Sequence, residues 1–348
     1  MLRFLLPAIF VFQVAAAQST VDSMVLKGIR LHDEGKYPEA LALFEQVIEL
    51  DENNGLALYE AGNTHFTLGN YKQAIKLADR VIKINLDAVS EAYVLKGNSF
   101  DMTGKPDKAL SIYRDGLRRD PKSDLLHFNL GVTLLKQKKY EESAPEFISA
   151  LKINPGYLSA HYMLGYSNAM QSQKTKTLLP LYYFLLLENK GQRAEVSFNF
   201  IKYTMNQGVE QPNKNVFSIE APANMEDEFA HIDLLLSMIP VANSVSRTAL
   251  KDSLGVSIPE ESFSQKLVKY NESLFKILGE TKQRSPDPFW WDLYANFFTE
   301  LQSKGHTEAF TNYILVNSDD KSALEWLRAN KPKLSVFSDW VKEYQNRK

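Results

Sequence analysis

The chain has 348 residues, enough for two domains, and its 44 % hydrophobic content is that of a folded protein. A formal net charge of −2, with no basic stripe beyond the short Lys136, Lys138, Lys139 cluster, argues against nucleic acid as a partner. The absence of cysteine excludes thiol nucleophiles, disulfides and lipid attachment at a cysteine.

The N-terminus reads as a targeting segment. Arg3 supplies a positive start, Leu2 to Val14 is nearly all apolar, and Ala15-Ala16-Ala17 fits small-residue cleavage before Gln18. Residues 1–17 are therefore expected to be a signal peptide, the alternative being an uncleaved start to the first helix. The apolar run is too short to span a bilayer, so no transmembrane segment is expected in the mature chain. An exported chain without cysteine suits a Gram-negative envelope, periplasmic or secreted, better than a disulfide-dense extracellular module. The Asn-x-Ser sequon at Asn271 falls in a helical pattern and reads as chance.

Five glycines then recur on a fixed beat, Gly28, Gly62, Gly97, Gly131 and Gly165, at spacings of 34, 35, 34 and 34 residues. Taking each glycine as position 8, repeats begin at Val21, Gly55, Ser90, Asp124 and Leu158, with one residue inserted near Val89. Position 15 holds Gly35, Gly69, Gly104 and Lys138; position 17 holds Tyr37, Tyr71, Pro106 and Tyr140. Position 20 holds Ala40, Ala74, Ala109 and Ser143, and position 24 holds Phe44, Ala78, Tyr113 and Phe147. Small residues at positions 8 and 20 let two helices approach, a glycine at position 15 allows positive φ at a helix end, and Pro121 and Pro155 stop second helices. A helix pair repeating at this period cannot bury its apolar face alone, so neighbouring pairs must stack.

This pattern resembles the tetratricopeptide repeat family. The signature is clear in four repeats over 21–157. A fifth, 158–190, is degenerate: Ser172-Gln173-Lys174 stands for Gly-x-Tyr and Thr177 for the position-20 alanine. The resemblance implies an all-α fold, a right-handed superhelical solenoid of helix-turn-helix repeats over 18–190, followed by an α-helical C-terminal domain over 191–348. It also implies a protein or peptide partner on the face formed by the first helices. Groove positions there are Tyr59, Val94, Phe128 and Tyr162 (position 5), Asn63, Asn98, Val132 and Tyr166 (position 9) and Phe66 (position 12). No lysine stands at position 5, which argues against a clamp for a C-terminal carboxylate. The expectation is that Asn63 and Asn98 hydrogen-bond a partner backbone while the aromatic residues supply contact area. Packing against the next helix is the alternative use of these side chains.

Beyond Lys190 the period is lost while helical patterns continue over Ala194–Met205, Glu226–Ile239 and Ser262–Thr281. Asn206 to Asn224 reads as a loop with a short extended piece at Val216, Phe217 and Ile219, and Val241 to Pro259 as a loop or short helix. Phe289 to Lys304 carries Phe289, Trp290, Trp291, Tyr294, Phe297 and Phe298. It reads as a core helix, with a partly exposed aromatic groove as the alternative. Helices over His306–Val316, Lys321–Asn330 and Leu334–Gln345 follow, with Trp326 and Trp340 as anchors.

No catalytic, cofactor or metal motif is found. There is no P-loop, His-Glu-x-x-His or Gly-x-Ser-x-Gly. His127 and His161 share position 4, but no third ligand accompanies them, and they read as interface residues. The leading expectation is a non-enzymatic interaction scaffold or adaptor of the bacterial envelope. The alternatives are an enzyme or accessory with a site in 212–348, for which Glu226, Asp227, Glu228 and His231 form the local cluster, and a self-associating structural subunit.

Overall fold

Helix pairs on the expected beat account for the first half of the chain. The computed structural model describes residues 20–84, 89–213, 216–222, 224–254, 260–281 and 288–347. The expected signal peptide, residues 1–17, lies outside the described residues. Two compact units are formed, one up to Lys138 and one from Lys139 onward.

The first unit holds α1 (residues 20–33), α2 (Tyr37–Leu50), α3 (Gly55–Thr67), α4 (Tyr71–Ile84), α5 (Val89–Met102), α6 (Pro106–Arg119) and α7 (Asp124–Lys136). Asn54 and Ser123 cap α3 and α7 by accepting from the Ala57 and Leu126 amides, 3.0 and 3.3 Å away. Within each pair the small residues set the separation. A Cβ on Gly97 would lie 2.2 Å from Tyr113 Cε1, so only glycine lets α5 and α6 close around that ring. Tyr113 is fully buried and packs with Tyr93, Leu126, Leu130 and Leu134, while its hydroxyl donates to Asn98 Oδ1 at 2.6 Å.

Every turn between the helices of a pair uses a left-handed residue at position 15. Gly35, Gly69 and Gly104 have φ of 76°, 76° and 72°, and Lys138 and Ser172 adopt 62° and 60°. The degenerate fifth repeat therefore keeps the turn although its residue lacks glycine's freedom. A side chain in this region is disfavoured by about 1–2 kcal/mol. Lys138→Gly and Ser172→Gly are each expected to raise stability by about 0.5–1 kcal/mol, after the added flexibility of the unfolded chain is subtracted. Denaturant unfolding followed by far-UV circular dichroism checks this, and a loss of stability in both variants would contradict it.

The second unit holds α8 (Tyr140–Ile153), α9 (Leu158–Ala169), α10 (Lys174–Leu187), α11 (Gln192–Asn206), strands β1 (Val209–Asn213) and β2 (Val216–Ile219), and α12 (Ala230–Leu254). It continues with α13 (Phe263–Glu280), a π-helical turn (Trp291–Ala295), α14 (Asn296–Ser303), α15 (Thr307–Ile314), α16 (Lys321–Ala329) and α17 (Lys331–Asn346). The expected domain boundary near residue 190 lies inside this unit. The reason is α10, buried on all sides from Thr175 to Leu186 save Lys176 and Tyr183, which packs against α9, α11, α12, α15 and the π-helical turn.

Three readings of the second half need correction. First, the beat does not stop at 190: α11 begins 34 residues after α9, packs on both α9 and α10, and stands where the first helix of a sixth repeat would stand. It lacks the position-8 glycine, Asn199 standing there, and an antiparallel hairpin follows in place of a second helix. Second, that hairpin pairs Val209 with Ile219, so the segment expected as a loop with one extended piece contains two strands, the exception to the all-α class. Third, α12 runs through Pro240 to Leu254, where a loop or short helix was expected from Val241. One proline removes one hydrogen bond, and the helix continues past it. The last five residues of that reading, 255–259, lie outside the described residues.

The aromatic segment is core. Trp290, Trp291, Tyr294, Phe297 and Phe298 are all buried, and the π-helical turn adds a residue to the register so that rings on both sides of it point inward. Trp340 is buried and donates to Glu300 Oε1 at 3.2 Å; Trp326, half-buried, donates to Glu308 Oε1 at 2.8 Å. Asn271 is fully buried between the Tyr182 hydroxyl and Thr311, which excludes a glycan on it in the folded chain.

Candidate protein-binding surface

The first helices of successive repeats, α3, α5 and α7, lie side by side in the first unit. Residues at positions 5, 9 and 12 share one face of such a helix because they are spaced four and three apart. Tyr59, Asn63, Phe66, Val94, Asn98, Phe128 and Val132 are all half-buried. Val25, position 5 of the first repeat, is buried in the core with Phe44 and Val47. Leu56 and Met102 add exposed apolar surface, 49 % and 55 % accessible, at positions 2 and 13 of the same helices.

Part of this surface also serves the fold. Tyr59 and Phe66 pack against the buried cluster of Leu58, Ala74, Ala78 and Leu95, and Phe66 meets Tyr71 edge to face at 5.4 Å. Asn98 Oδ1 is taken by Tyr113, while Asn98 Nδ2 has no acceptor among the described residues. Burial holds the Glu60 carboxyl above its ordinary range, the Asp33 carboxylate adds to the rise, and the Asn63 amide opposes it by hydrogen bonding. Burial likewise raises the Tyr59 hydroxyl, with Glu60 and Glu91 contributing next. Glu60 and Glu91 escaped the sequence reading. Their signal was there: Glu60 and Glu91 occupy positions 6 and 2, on the same helix face as the aromatic residues.

Tyr162 and Tyr166 belong to the second unit. Each meets a ring of its own unit: Tyr162 lies 5.3 Å from Phe184, and Tyr166 lies 5.0 Å edge to face from Phe200 of α11. They are half-buried, as are the seven in the first unit.

The position-4 histidines have a structural role. His161 is fully buried; its Nε2 lies 2.9 Å from the Pro155 carbonyl and its Nδ1 2.7 Å from the Tyr294 hydroxyl. A carbonyl only accepts, so Nε2 carries the proton and Nδ1 accepts from Tyr294. Burial pulls its pKa down to about 4, against the opposing bond to Pro155. His127 Nε2 sits 3.4 Å from the Pro121 carbonyl in the first unit, so each imidazole rests on the proline that closes the preceding repeat.

Of the carboxylates considered for a hydrolytic site, Asp227 and Glu228 are engaged structurally and Glu226 is exposed. Asp227 pairs with Lys176, and Glu228 accepts from Trp291 Nε1 at 3.1 Å. One helical turn and more along, burial pushes Asp233 up to about 6, against the Thr175 amide and hydroxyl that donate to it. Lys174, pulled down to about 8 by burial, borders the same cavity of about 210 Å³. Its ammonium donates to the Thr204 and Gln207 carbonyls at 3.0 and 2.6 Å, closing the carboxyl end of α11.

Comparison with known proteins agrees with the repeat geometry. Residues 31–98 and 94–157 match two models of the tetratricopeptide repeat. That stretch therefore carries tetratricopeptide repeats. It is 27 % identical over 128 residues to human tetratricopeptide repeat protein 6, covering 37 % of this chain and 24 % of that one. It is 29 % identical over 97 residues to Hsp70-Hsp90 organizing protein 3 of Arabidopsis thaliana, covering 28 % and 17 %. Against the peroxisomal targeting signal receptor of Saccharomyces cerevisiae it is 26 % identical over 137 residues, covering 39 % and 21 %. The matches thus span a quarter or less of these relatives. Among solved structures, YrrB, a repeat protein with an unusual peptide-binding site, aligns at a TM-score of 0.39 and 19 % identity over 54 % of this chain and 97 % of that one. A thermophilic repeat protein of Thermus thermophilus, TTC0263, aligns at 0.45 and 18 %, over 52 % and 99 %.

Proposed function

We propose that the chain is a non-enzymatic scaffold that holds a protein or peptide on the open face of α3, α5 and α7. The observation that carries this reading is the row of half-buried side chains, Tyr59, Asn63, Phe66, Val94, Asn98, Phe128 and Val132, repeated in register on adjacent helices. Half-buried side chains lose little freedom on binding, so a partner gains contact area at low entropic cost. Asn63 and the unpaired Nδ2 of Asn98 are placed to hydrogen-bond a partner backbone. Tyr162 and Tyr166 offer a comparable strip within the second unit. What the named relatives organise or receive supports a polypeptide as the ligand class. The reading includes export to the envelope, on the strength of Arg3, the apolar run and Ala15-Ala16-Ala17.

A photo-crosslinking phenylalanine at Val94 of the full chain, expressed in its own host, is expected to capture a discrete polypeptide. The same group at Asp115 on α6 is expected to capture none. Asn63→Ala with Asn98→Ala should cut the Val94 adduct several-fold. Asn98→Ala also removes the Asn98 acceptor of the Tyr113 hydroxyl, at about 1–2 kcal/mol, so retained circular dichroism must accompany the result. Equal adducts at both sites would overturn the binding face, and a mature chain beginning at Met1 rather than Gln18 by mass spectrometry would overturn export.

A further inference from the structure

Over its first three repeats the binding face carries charge of one sign only. At positions 2, 5, 6, 9, 12 and 13 the first three repeats carry Asp22, Asp33, Glu60, Glu91 and Asp101 and no lysine or arginine. Asp101 is neutralised by Lys136 of the fourth repeat, 2.7 Å away. Glu91 makes no hydrogen bond or ion pair among the described residues, and its Oε2 is buried without a partner. Leaving a carboxylate oxygen in that condition is unfavourable until a cation or donor meets it. Glu60 follows Tyr59 on α3 and Glu91 stands on the neighbouring α5; both carboxylates add to the rise of the Tyr59 hydroxyl, and the Asn63 amide hydrogen-bonds Glu60. Exposed Leu56 and Met102 extend the same surface with apolar area.

We propose that this face seats a lysine or arginine side chain of an extended partner segment between Glu60 and Glu91, against the Tyr59 ring, with apolar neighbours of that side chain on Leu56, Phe66 and Met102. The inference rests on the reading above that this face binds a polypeptide, and it names the chemistry of that polypeptide. Charge complementarity selects a cation over a neutral or acidic residue, and an electron-rich ring favours a cation laid against it. Asp33 adds negative potential next to Glu60.

The test uses the full chain and three synthetic libraries of amidated dodecapeptides, with arginine, norleucine or glutamate fixed at the centre and the other positions randomised. The arginine library is expected to be retained about tenfold better than the norleucine one and the glutamate library least, with the preference shrinking in high salt. Glu60→Gln with Glu91→Gln should remove the arginine preference, so that the arginine and norleucine libraries are retained alike. Retention of norleucine and arginine libraries alike by the native chain, sensitive to Asn63→Ala, would overturn the basic-residue assignment and leave the binding face standing. Retention of none of the libraries by the native chain would overturn both. An arginine preference that survives the double substitution would place the cation elsewhere and overturn the assignment.

Discussion

Tyr182→Ala is expected to remove about 3–5 kcal/mol of stability from the second unit, as full truncation of a buried aromatic does. Tyr182 is completely buried on α10, and its ring stands edge to face with Phe275 of α13, Phe298 of α14 and Phe310 of α15 at 6.2, 6.0 and 5.8 Å. One side chain thus holds three helices from different parts of the chain. Its hydroxyl donates to Asn271 Oδ1 at 2.6 Å, and Asn271 Nδ2 in turn donates to Thr311 Oγ1 at 3.0 Å. Tyr182→Phe keeps the ring and leaves one Asn271 oxygen unpaired, so its loss should be about 1–2 kcal/mol. The gap between the two variants separates ring packing from the hydrogen bond. The measurement is well placed, because Trp290, Trp291, Trp326 and Trp340 all lie in the second unit and the first has none. Tryptophan fluorescence during denaturant unfolding therefore reports the second unit, while circular dichroism reports both. An alanine variant within about 1 kcal/mol of the native chain by fluorescence would show that Tyr182 is not the keystone described.

The second large effect is on pH. His161 titrates at about 4 in the folded chain, below the ordinary 6.5, because burial disfavours the imidazolium. Below pH 6.5 the unfolded chain takes up a proton that the folded chain refuses until about pH 4. Stability is therefore lost as pH falls through that window, up to about 3 kcal/mol in total. Asp233 acts in the opposite sense. Its folded value of about 6 exceeds the ordinary 3.8, so the folded chain keeps a proton that the unfolded chain releases, and stability is lost as pH rises from 3.8 to 6. The two contributions offset one another in the native protein, whose own profile should be shallow. His161→Gln removes one of them. Relative to the native chain, the variant is expected to gain about 3 kcal/mol between pH 6.5 and 4, on top of any constant loss from disturbing Tyr294 and Pro155. His65 and His306, also lowered by partial burial, cancel in this comparison. Parallel stability profiles for the two proteins across that interval would show that the imidazole does not titrate as its surroundings dictate.

The periodic half of the molecule was legible because its determinants are local. Gly97 is glycine for the Tyr113 ring beside it, Asn54 and Ser123 cap helices three residues on, and Gly35, Gly69 and Gly104 close turns within their own repeat. Spacing alone therefore yields the helix pairs and the rows Tyr59, Asn63, Phe66 and Val94, Asn98 on neighbouring first helices. The same locality made Ser172 look like a departure, since composition does not show that the turn tolerates a side chain at φ of 60°.

The rest was decided by contacts between residues far apart in the chain. His161 meets Tyr294, Tyr182 meets Asn271, and Thr175 meets Asp233, at separations of 133, 89 and 58 residues. No period records such meetings, so α11 staying on the beat, α12 running through Pro240 and α10 becoming the centre of the second unit emerge only in three dimensions. The charge of the binding face belongs to both levels. The order of residues placed Glu60 and Glu91 at their positions; packing α3 beside α5 brought them to one surface, because electrostatic character depends on which side chains share a space, and chain order does not specify that.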